Sequence, residues 1–376
     1  MGNLSRRTFL MTASAATLAV AAIPSRAATR SQRVFVASGT PDGILAFDWD
    51  PASAELAPAG VAAKLPKVAW IAFSPGHEYL FAASEVDSFH GKQTGAVASF
   101  KVENGELHPL SAQNSASVGT CHVALDHSGR VLLSADYSGG SAASFLVTEG
   151  KLGPLVWTEH YTGHGPNADR QQSAHAHFAS FSPDNRFAYI NDLGADCIHI
   201  YSLNSATAML TPAGTYKARP GAGSRTLRFH PNGHTAYRVN ELDSTVDVLE
   251  WSKLDGSLTP VNRIELLPEG FHGLSRACDT VITGDGRNVY FANRDKDFLY
   301  SFRADARTGS LTPIGRTNCG GKIPRNFTLD PTERWMLVAN QDSNLLSVFA
   351  RNPQTGALAE EGKSVAAPAP MCILFV

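Results

Sequence analysis

Residues 226–240 read Thr-Leu-Arg-Phe-His-Pro-Asn-Gly-His-Thr-Ala-Tyr-Arg-Val-Asn, which is two short apolar runs joined by Pro231-Asn-Gly233. Pro, Asn and Gly favour a tight turn, and the apolar and aromatic residues on either side favour strands. The segment therefore predicts a β-hairpin. A third apolar run, Val246-Asp-Val-Leu249, and a Leu-Thr-Pro segment follow it, so the whole stretch is typical of a unit of about four strands.

This pattern recurs along most of the chain. Each copy has an apolar anchor residue just before its turn, and the anchors are Phe73, Leu125, Phe181, Phe229, Ile282 and Leu329. Successive anchors are 52, 56, 48, 53 and 47 residues apart. A period of about 40–50 residues with four strands per unit is typical of a β-propeller and not of helical repeats.

The two ends of the chain indicate the number of blades. Cys372-Ile-Leu-Phe375 resembles the first strand of a further unit, but the sequence then stops. Near the other end, Val34-Phe-Val-Ala37 and Ile44-Leu-Ala-Phe47 read as a second and a third strand. A blade shared by both ends would close the ring and leave no free sheet edge. We therefore predict an all-β, seven-bladed β-propeller over residues 28–376; two separate β-domains would need a linker that the sequence lacks.

Residues 1–27 are predicted to be an export signal. Ser5-Arg-Arg-Thr-Phe-Leu10 precedes a mildly apolar run that ends at Ile23, and Pro24-Ser-Arg-Ala27 supplies a small-residue cleavage site. The arginine pair resembles a twin-arginine signal. We expect cleavage near Ala27 and a periplasmic or secreted protein, with retention as an uncleaved anchor as the alternative.

The composition excludes several classes of protein. Thirty-two Lys and Arg residues stand against 34 Asp and Glu residues, a net charge of −2, so bulk positive charge for nucleic-acid binding is absent. No stretch after the signal approaches about 18 uninterrupted apolar residues, so no membrane span is expected in the mature protein. The five cysteines are an odd number without a C-x-x-C pair, and we interpret them as small buried apolar residues.

Charged side chains cluster at one end of the predicted hairpins. A residue four positions before an anchor and one about twelve positions after it lie across the turn at the same end of a hairpin. Several repeats carry small or apolar residues there and one carries Glu85, whereas others carry His177, Arg225, Glu241, Arg294 and Arg325. We expect these five to face one mouth of the central channel, as a site for chemistry or, alternatively, as charges that contact water.

Further polar residues are placed at the same mouth. Asp192, Asn240 and Asn293 each lie eleven residues after an anchor, directly before the position discussed above. They are predicted to bind substrate, although such residues also cap turns. His175 alternates with His177 on a predicted strand and is also assigned to substrate binding. The two histidines lack a third ligand at convincing spacing, so neither a metal nor another cofactor is predicted.

The loop before these histidines carries a family resemblance. Gly163-His-Gly-Pro-Asn-Ala-Asp-Arg170-Gln-Gln-Ser-Ala-His-Ala-His177, Gly221-Ala-Gly-Ser-Arg225, Val239-Asn-Glu-Leu242 and Pro324-Arg-Asn-Phe327 resemble the lactonase family of seven-bladed propellers. That family includes propeller-type 6-phosphogluconolactonases and carboxymuconate cyclases. The resemblance implies an active site of His175 or His177 with Arg225, Glu241 and Arg294. Ser224 stands where the family commonly has Pro.

The resemblance and the residue types predict a hydrolase that opens a sugar or organic-acid lactone. Arginines can stabilise the negative charge on an attacked carbonyl, Glu241 or His177 can take a proton from water, and Arg325 with Arg225 can bind a carboxylate or phosphate. The expected partner is a small lactone or acidic sugar. The alternatives are a lactone-forming cyclase, or an exported propeller that binds a ligand or a protein without catalysis.

Overall fold

The computed structural model describes residues 32–267 and 273–376. Every regular element in these two ranges is a β-strand, and together they form seven four-stranded antiparallel sheets. This confirms the predicted seven-bladed propeller. The predicted export signal, residues 1–27, lies outside the described residues. Within the described part of the chain, no helix is long and apolar enough to cross a membrane.

The strands of each blade run outward from the centre in a fixed order. Numbered along the chain, the innermost strands are β28 (Pro370–Phe375), β4 (Val68–Phe73), β8 (Thr120–Leu125), β12 (Ala176–Phe181), β16 (Ser224–Phe229), β20 (Ala277–Ile282) and β24 (Pro324–Leu329). The second strands are β1 (Gln32–Ser38), β5 (Tyr79–Ser84), β9 (Val131–Asp136), β13 (Phe187–Asp192), β17 (Thr235–Asn240), β21 (Asn288–Asn293) and β25 (Trp335–Asn340).

Two further strands complete each blade on its outer side. The third strands are β2 (Ile44–Asp50), β6 (Ala96–Glu103), β10 (Ser141–Thr148), β14 (Cys197–Asn204), β18 (Thr245–Trp251), β22 (Phe298–Ala304) and β26 (Leu345–Ala350). The outer strands are β3 (Glu55–Ala63), β7 (Glu106–Asn114), β11 (Lys151–His160), β15 (Met209–Lys217), β19 (Leu258–Glu265), β23 (Leu311–Asn318) and β27 (Lys363–Ala366).

The first blade is built from both ends of the chain. Its order is β28-β1-β2-β3, so the C-terminal strand is innermost and pairs antiparallel with the N-terminal strand, with Val36 opposite Ile373. Blades 2 to 7 follow in chain order, from β4–β7 to β24–β27. This closure confirms the prediction from the terminal sequences, and it gives every inner strand a neighbour on its own blade.

The hydrophobic core lies between the blades. Seven buried clusters occupy the seven contacts between neighbouring sheets. The cluster between blades 4 and 5, for example, includes Tyr189, Ile198, Leu227 and Trp251. Apolar residues therefore face both sides of most strands, which explains why the repeats read as nearly continuous apolar runs. All five cysteines are buried and free, which confirms that they are small buried residues.

A β-bulge interrupts the inner strand of every blade near its start. The pairing shifts there by at least one residue, for example between Ser224 and Thr226 against β17. A bulged residue is unpaired, and its side chain is re-aimed relative to the strand. We call the seven residues at these shifts the bulge ring: Met371, Ala69, Cys121, His177, Arg225, Cys278 and Arg325. Six of the seven line one narrow cavity in the channel.

Candidate active site

The bulge ring carries three of the predicted site residues, and the second strands supply two more. His177, Arg225 and Arg325 belong to the ring, on blades 4, 5 and 7. Glu241 directly follows β17 and Arg294 directly follows β21. Each extends the hairpin pairing past the bulge: the Glu241 N–H donates to the Gly223 carbonyl at 2.8 Å, and the Arg294 N–H donates to the Arg276 carbonyl at 2.9 Å. The structure thus places all five at the same end of the inner strands.

Three arginines surround the Glu241 carboxylate. Its Oε2 lies 2.9 Å from Nε of Arg225 and 2.6 Å from Nη2 of Arg294, and its Oε1 lies 2.7 Å from Nη2 of Arg170. The Glu241 side chain is 1% exposed. We call these four residues the mouth cluster. Its members come from blade 5, blade 6 and the loop between blades 3 and 4.

The mouth cluster controls the charge of its carboxylate. Burial is the largest influence on Glu241 and opposes its ionisation, but the positive charges of Arg294, Arg225 and Arg170 outweigh it. The pKa of Glu241 is therefore held well below its usual range. Glu241 remains an anion throughout the neutral pH range, which makes it a strong electrostatic anchor and a weak proton acceptor.

His177 lies beside the cluster with a different protonation state. Burial and then the charge of Arg225 lower the pKa of its imidazole well below the usual range, so the ring is neutral near pH 7. The Tyr137 ring packs edge-on against it, with centroids 5.6 Å apart. Nδ1 of His177 is buried and has no hydrogen-bond partner among the described residues. A neutral imidazole with an unused nitrogen can take up or deliver a proton.

Two residues of this site were not among the predicted site residues. Arg170 donates to the Tyr137 hydroxyl at 3.0 Å as well as pairing with Glu241. The Tyr137 ring in turn stacks on His175, with centroids 4.5 Å apart and planes 10° apart, and the Tyr137 carbonyl lies 2.9 Å from Nδ1 of His175. His175, which was predicted to bind substrate, thus contacts Tyr137 through both its ring face and its Nδ1. The sequence held a signal for each residue. Tyr137 lies twelve residues after the anchor Leu125, and Arg170 lies within the quoted family motif.

Arg325 lies on the same ring but makes separate contacts. Its side chain is 19% exposed, and its guanidinium lies 3.8 Å from Glu85 Oε2 and 3.4 Å from Gln341 Oε1. Cys278 joins it to the mouth cluster, because Arg225 donates to the Cys278 carbonyl and the Cys278 thiol lies 2.6 Å from the Arg325 carbonyl. Arg325 thus keeps a partly free guanidinium next to the cluster, as a group that binds an anionic ligand requires.

The thiols on the ring are not suited to nucleophilic chemistry. Burial raises the pKa of the thiols of Cys121 and Cys278 above their usual values. Because the thiolate is the nucleophile, these cysteines are unreactive near neutral pH. Water is then the nucleophile that the site can activate.

Three residues predicted to bind substrate make hydrogen bonds within the protein. Asp192, Asn240 and Asn293 are fully buried, and each has a partner close to a strand end. Asp192 accepts hydrogen bonds from the backbone of His175 and Ala195. Asn240 and Asn293 donate to nearby hydroxyls, namely those of Thr245, Ser244 and Ser275. They fix the strand ends and loops that carry the site.

A cavity of about 670 Å³ lies at the opposite end of the channel. Aromatic side chains dominate it, including Trp70 and Phe178. Its charged groups already have structural partners: Arg228 lies over both rings and 3.5 Å from Asp279, and Asp126 accepts backbone hydrogen bonds in its own turn. We therefore place the candidate active site at the mouth cluster, where charge, imidazole and a free guanidinium converge.

Comparison with known proteins shows the family of this chain. The family model described as "Lactonase, 7-bladed beta-propeller" matches residues 31–375. The chain belongs to the lactonase family. A 6-phosphogluconolactonase of Bacillus subtilis is 32% identical to this lactonase-family chain, over 90% of it and 95% of the relative. A 6-phosphogluconolactonase of Formosa agariphila is 31% identical over 84% of this chain and 90% of the relative.

Solved structures include a further relative. The structure of the periplasmic gluconolactonase of Pseudomonas aeruginosa superposes on this lactonase-family propeller with a TM-score of 0.85 and 30% sequence identity. The match covers 92% of this chain and 99% of the other. Family and relatives identify the protein as a lactonase-type enzyme that acts on a small lactone.

Proposed function

We propose that this enzyme hydrolyses a sugar or organic-acid lactone at the mouth cluster, with His177, Arg225, Glu241 and Arg294 as its active site. The observation that carries the proposal is the convergence of three arginines on one buried carboxylate, next to a neutral imidazole. Lactone opening needs a proton acceptor for water and fixed donors for the oxyanion. This arrangement supplies both.

His177 is the proposed general base. It removes a proton from water while the water oxygen attacks the lactone carbonyl carbon. The tetrahedral intermediate collapses when the bond to the ring oxygen breaks, and the imidazolium returns its proton to that oxygen. The product is an open hydroxy acid. Glu241 is unsuited to the base role because both of its carboxylate oxygens are already paired with arginines, so it orients them instead.

Arg294 is the proposed oxyanion donor. Its side chain is 7% exposed, and its Nε has no hydrogen-bond partner among the described residues. A buried, unused donor of fixed orientation stabilises the charge that develops on the carbonyl oxygen. Arg225 adds a second positive charge, while Arg325, which is more exposed, binds an acidic substituent of the substrate.

We further propose that residues 1–27 direct export by the twin-arginine route, so that the mature chain works in the periplasm or outside the cell. Phosphorylated sugars are expected inside the cell, and an exported enzyme would therefore act on an unphosphorylated sugar lactone. The relationship to a periplasmic gluconolactonase supports this substrate class.

A lactone panel tests the proposed function. Wild-type enzyme and Arg225→Ala are assayed on glucono-1,5-lactone, 6-phosphogluconolactone and a muconolactone, with the spontaneous hydrolysis of each lactone subtracted. We expect the highest kcat/KM on the unphosphorylated sugar lactone and a loss of at least about 100-fold in the variant. Equal turnover by both proteins would contradict the site. A clear preference for the phosphorylated lactone would contradict the substrate class alone.

A further inference from the structure

A second group of reactive side chains lies in blade 4, outside the mouth cluster. Asp192 ends β13 and pairs directly with Cys197 at the start of β14. His199 lies two residues further along β14, so its side chain is on the same face as that of Cys197. The ligand atoms of the three residues lie within 4.8 Å of one another. Carboxylate, thiolate and imidazole are the three side-chain ligand types of zinc.

The distances within this group match a tetrahedral metal site. Sγ of Cys197 lies 3.5 Å from Nε2 of His199, and the same Nε2 lies 3.5 Å from Oδ2 of Asp192. With usual zinc–ligand bond lengths and tetrahedral angles, the sulfur–nitrogen edge is about 3.6 Å and the nitrogen–oxygen edge about 3.4 Å. The third distance, between Sγ of Cys197 and the Asp192 carboxylate, is within 4.8 Å, so two of the three edges match a tetrahedral site and the third requires these two groups to be within reach of one ion.

Surrounding residues orient the three ligand atoms. The backbone N–H groups of His175 and Ala195 both bind Oδ1 of Asp192, which leaves Oδ2 directed at His199. The Tyr161 ring stacks on the His199 imidazole, with centroids 4.0 Å apart and planes 10° apart. Such outer contacts fix metal ligands in place and are a regular feature of metal sites.

Charge and access favour a divalent cation. Cys197 and Asp192 are almost completely buried, and a thiolate with a carboxylate contributes two negative charges that a divalent ion neutralises. A neutral complex avoids the cost of burying net charge. Cys197 also lines a cleft of about 580 Å³, whose wall includes His164. The cleft gives the ion a route of entry to Cys197.

We propose that Asp192, Cys197 and His199 bind one zinc ion per chain. Binding replaces the proton of the Cys197 thiol with the metal, so one proton is released; His199 binds as a neutral imidazole and Asp192 as a carboxylate. No change of oxidation state is involved. No metal was predicted from the sequence, because only His175 and His177 were considered as ligands. The proposed zinc site uses other residues. It does not depend on the proposed lactonase mechanism.

Cobalt substitution tests the site directly. The full mature chain is stripped with a chelator and titrated with Co²⁺, whose bond to a thiolate gives a characteristic charge-transfer absorption. We expect that band to saturate at one equivalent and to disappear when Zn²⁺ is added. A cobalt spectrum without a thiolate band would overturn the proposal.

Matched variants locate the site. We expect Cys197→Ser and His199→Gln each to weaken zinc binding at least about 100-fold in competition with a chromogenic chelator, since even outer-shell changes cost 10–100-fold. Cys319→Ser is the control, because Cys319 is also a buried free thiol but contacts Gly321 instead. Its affinity should equal that of the wild type. Unchanged zinc affinity in both test variants, or an equal loss in the control, would contradict the assignment.

Discussion

Blade 5 contributes to two buried groups of arginines around a carboxylate, and the two are built differently. In the first, Asp247 on β18 lies directly opposite Arg238 on β17 and Arg263 on β19, and it contacts both. We call this the blade-5 ion cluster. In the mouth cluster, the arginines around Glu241 come from two blades and a long loop. One group follows from sheet register, whereas the other requires distant segments to converge.

The candidate active site and the blade-5 ion cluster share some features and differ in others. In both groups burial opposes ionisation of the carboxylate, arginines outweigh it, and the carboxyl pKa is lowered. A low pKa and nearby arginines therefore do not separate the two. The distinguishing features are the position beside the bulge ring, the neutral imidazole of His177 and the partly free guanidinium of Arg325. The blade-5 ion cluster has none of these and is assigned to stability.

The largest expected effect on activity belongs to the imidazole. His177→Gln removes the proposed base, and we expect kcat to fall by about 10²–10⁴-fold with little change in the unfolding midpoint. His234→Gln, at an exposed histidine on the turn of blade 5, is the control and should retain wild-type kcat. Both are measured by steady-state kinetics and thermal unfolding. Wild-type kcat in His177→Gln would remove this residue from the mechanism.

A smaller effect is expected at the rim of the site. Arg325→Gln removes a charge that we propose binds the substrate and that does not touch Glu241. KM should therefore rise by about tenfold while kcat stays within about twofold, as for a lost hydrogen bond to a charged group. The control is Arg316→Gln, because Arg316 lies on the outer strand β23 and packs on Phe298. A fall in kcat with unchanged KM would instead place Arg325 among the groups that stabilise the transition state.

We expect kcat/KM to depend very little on pH in the range where histidine usually titrates. The active forms are neutral His177 and ionised Glu241, and both persist to lower pH than usual because both pKa values are lowered. We therefore expect kcat/KM to stay level from pH 8 down through pH 6.5 and to decline only at more acidic pH. Rates are corrected for spontaneous hydrolysis at each pH. An inflection near pH 6.5 would contradict the protonation state assigned to His177.

The sequence was sufficient to predict the fold because its repeats are local. Hairpin signals such as Pro231-Asn-Gly233 recur at a nearly constant spacing, and the terminal strands supply the missing blade. The position of the turn fixes the approximate pairing of the two strands in each hairpin. His177, Arg225 and Glu241 could therefore be predicted to lie at the same end of the hairpins. The bulges were not foreseen, since no residue type is common to the positions of Ala69 and Arg225.

Other parts of the site depend on contacts that a single sequence does not specify. Residue type alone does not decide the roles of Asp192 and Asn240, because a buried cap and a residue that binds substrate use the same residue types. Arg170 reaches Glu241 from a loop, and its partner is 71 positions away. The sequence did contain a signal for the proposed zinc ligands. Cys197 and His199 lie two positions apart on the strand that follows Asp192, so their side chains are on the same face.

The comparison of the two buried carboxylates gives the most direct test of the mouth cluster as the active site. Glu241→Gln and Asp247→Asn each remove one charge from a group of arginines, and kcat/KM on the preferred lactone is measured alongside the free energy of unfolding. We predict that Asp247→Asn loses about 3–5 kcal/mol of stability but retains wild-type kcat/KM per folded molecule. Glu241→Gln should lose at least about 100-fold in kcat/KM per folded molecule. Equal kcat/KM in the two variants would contradict the central claim.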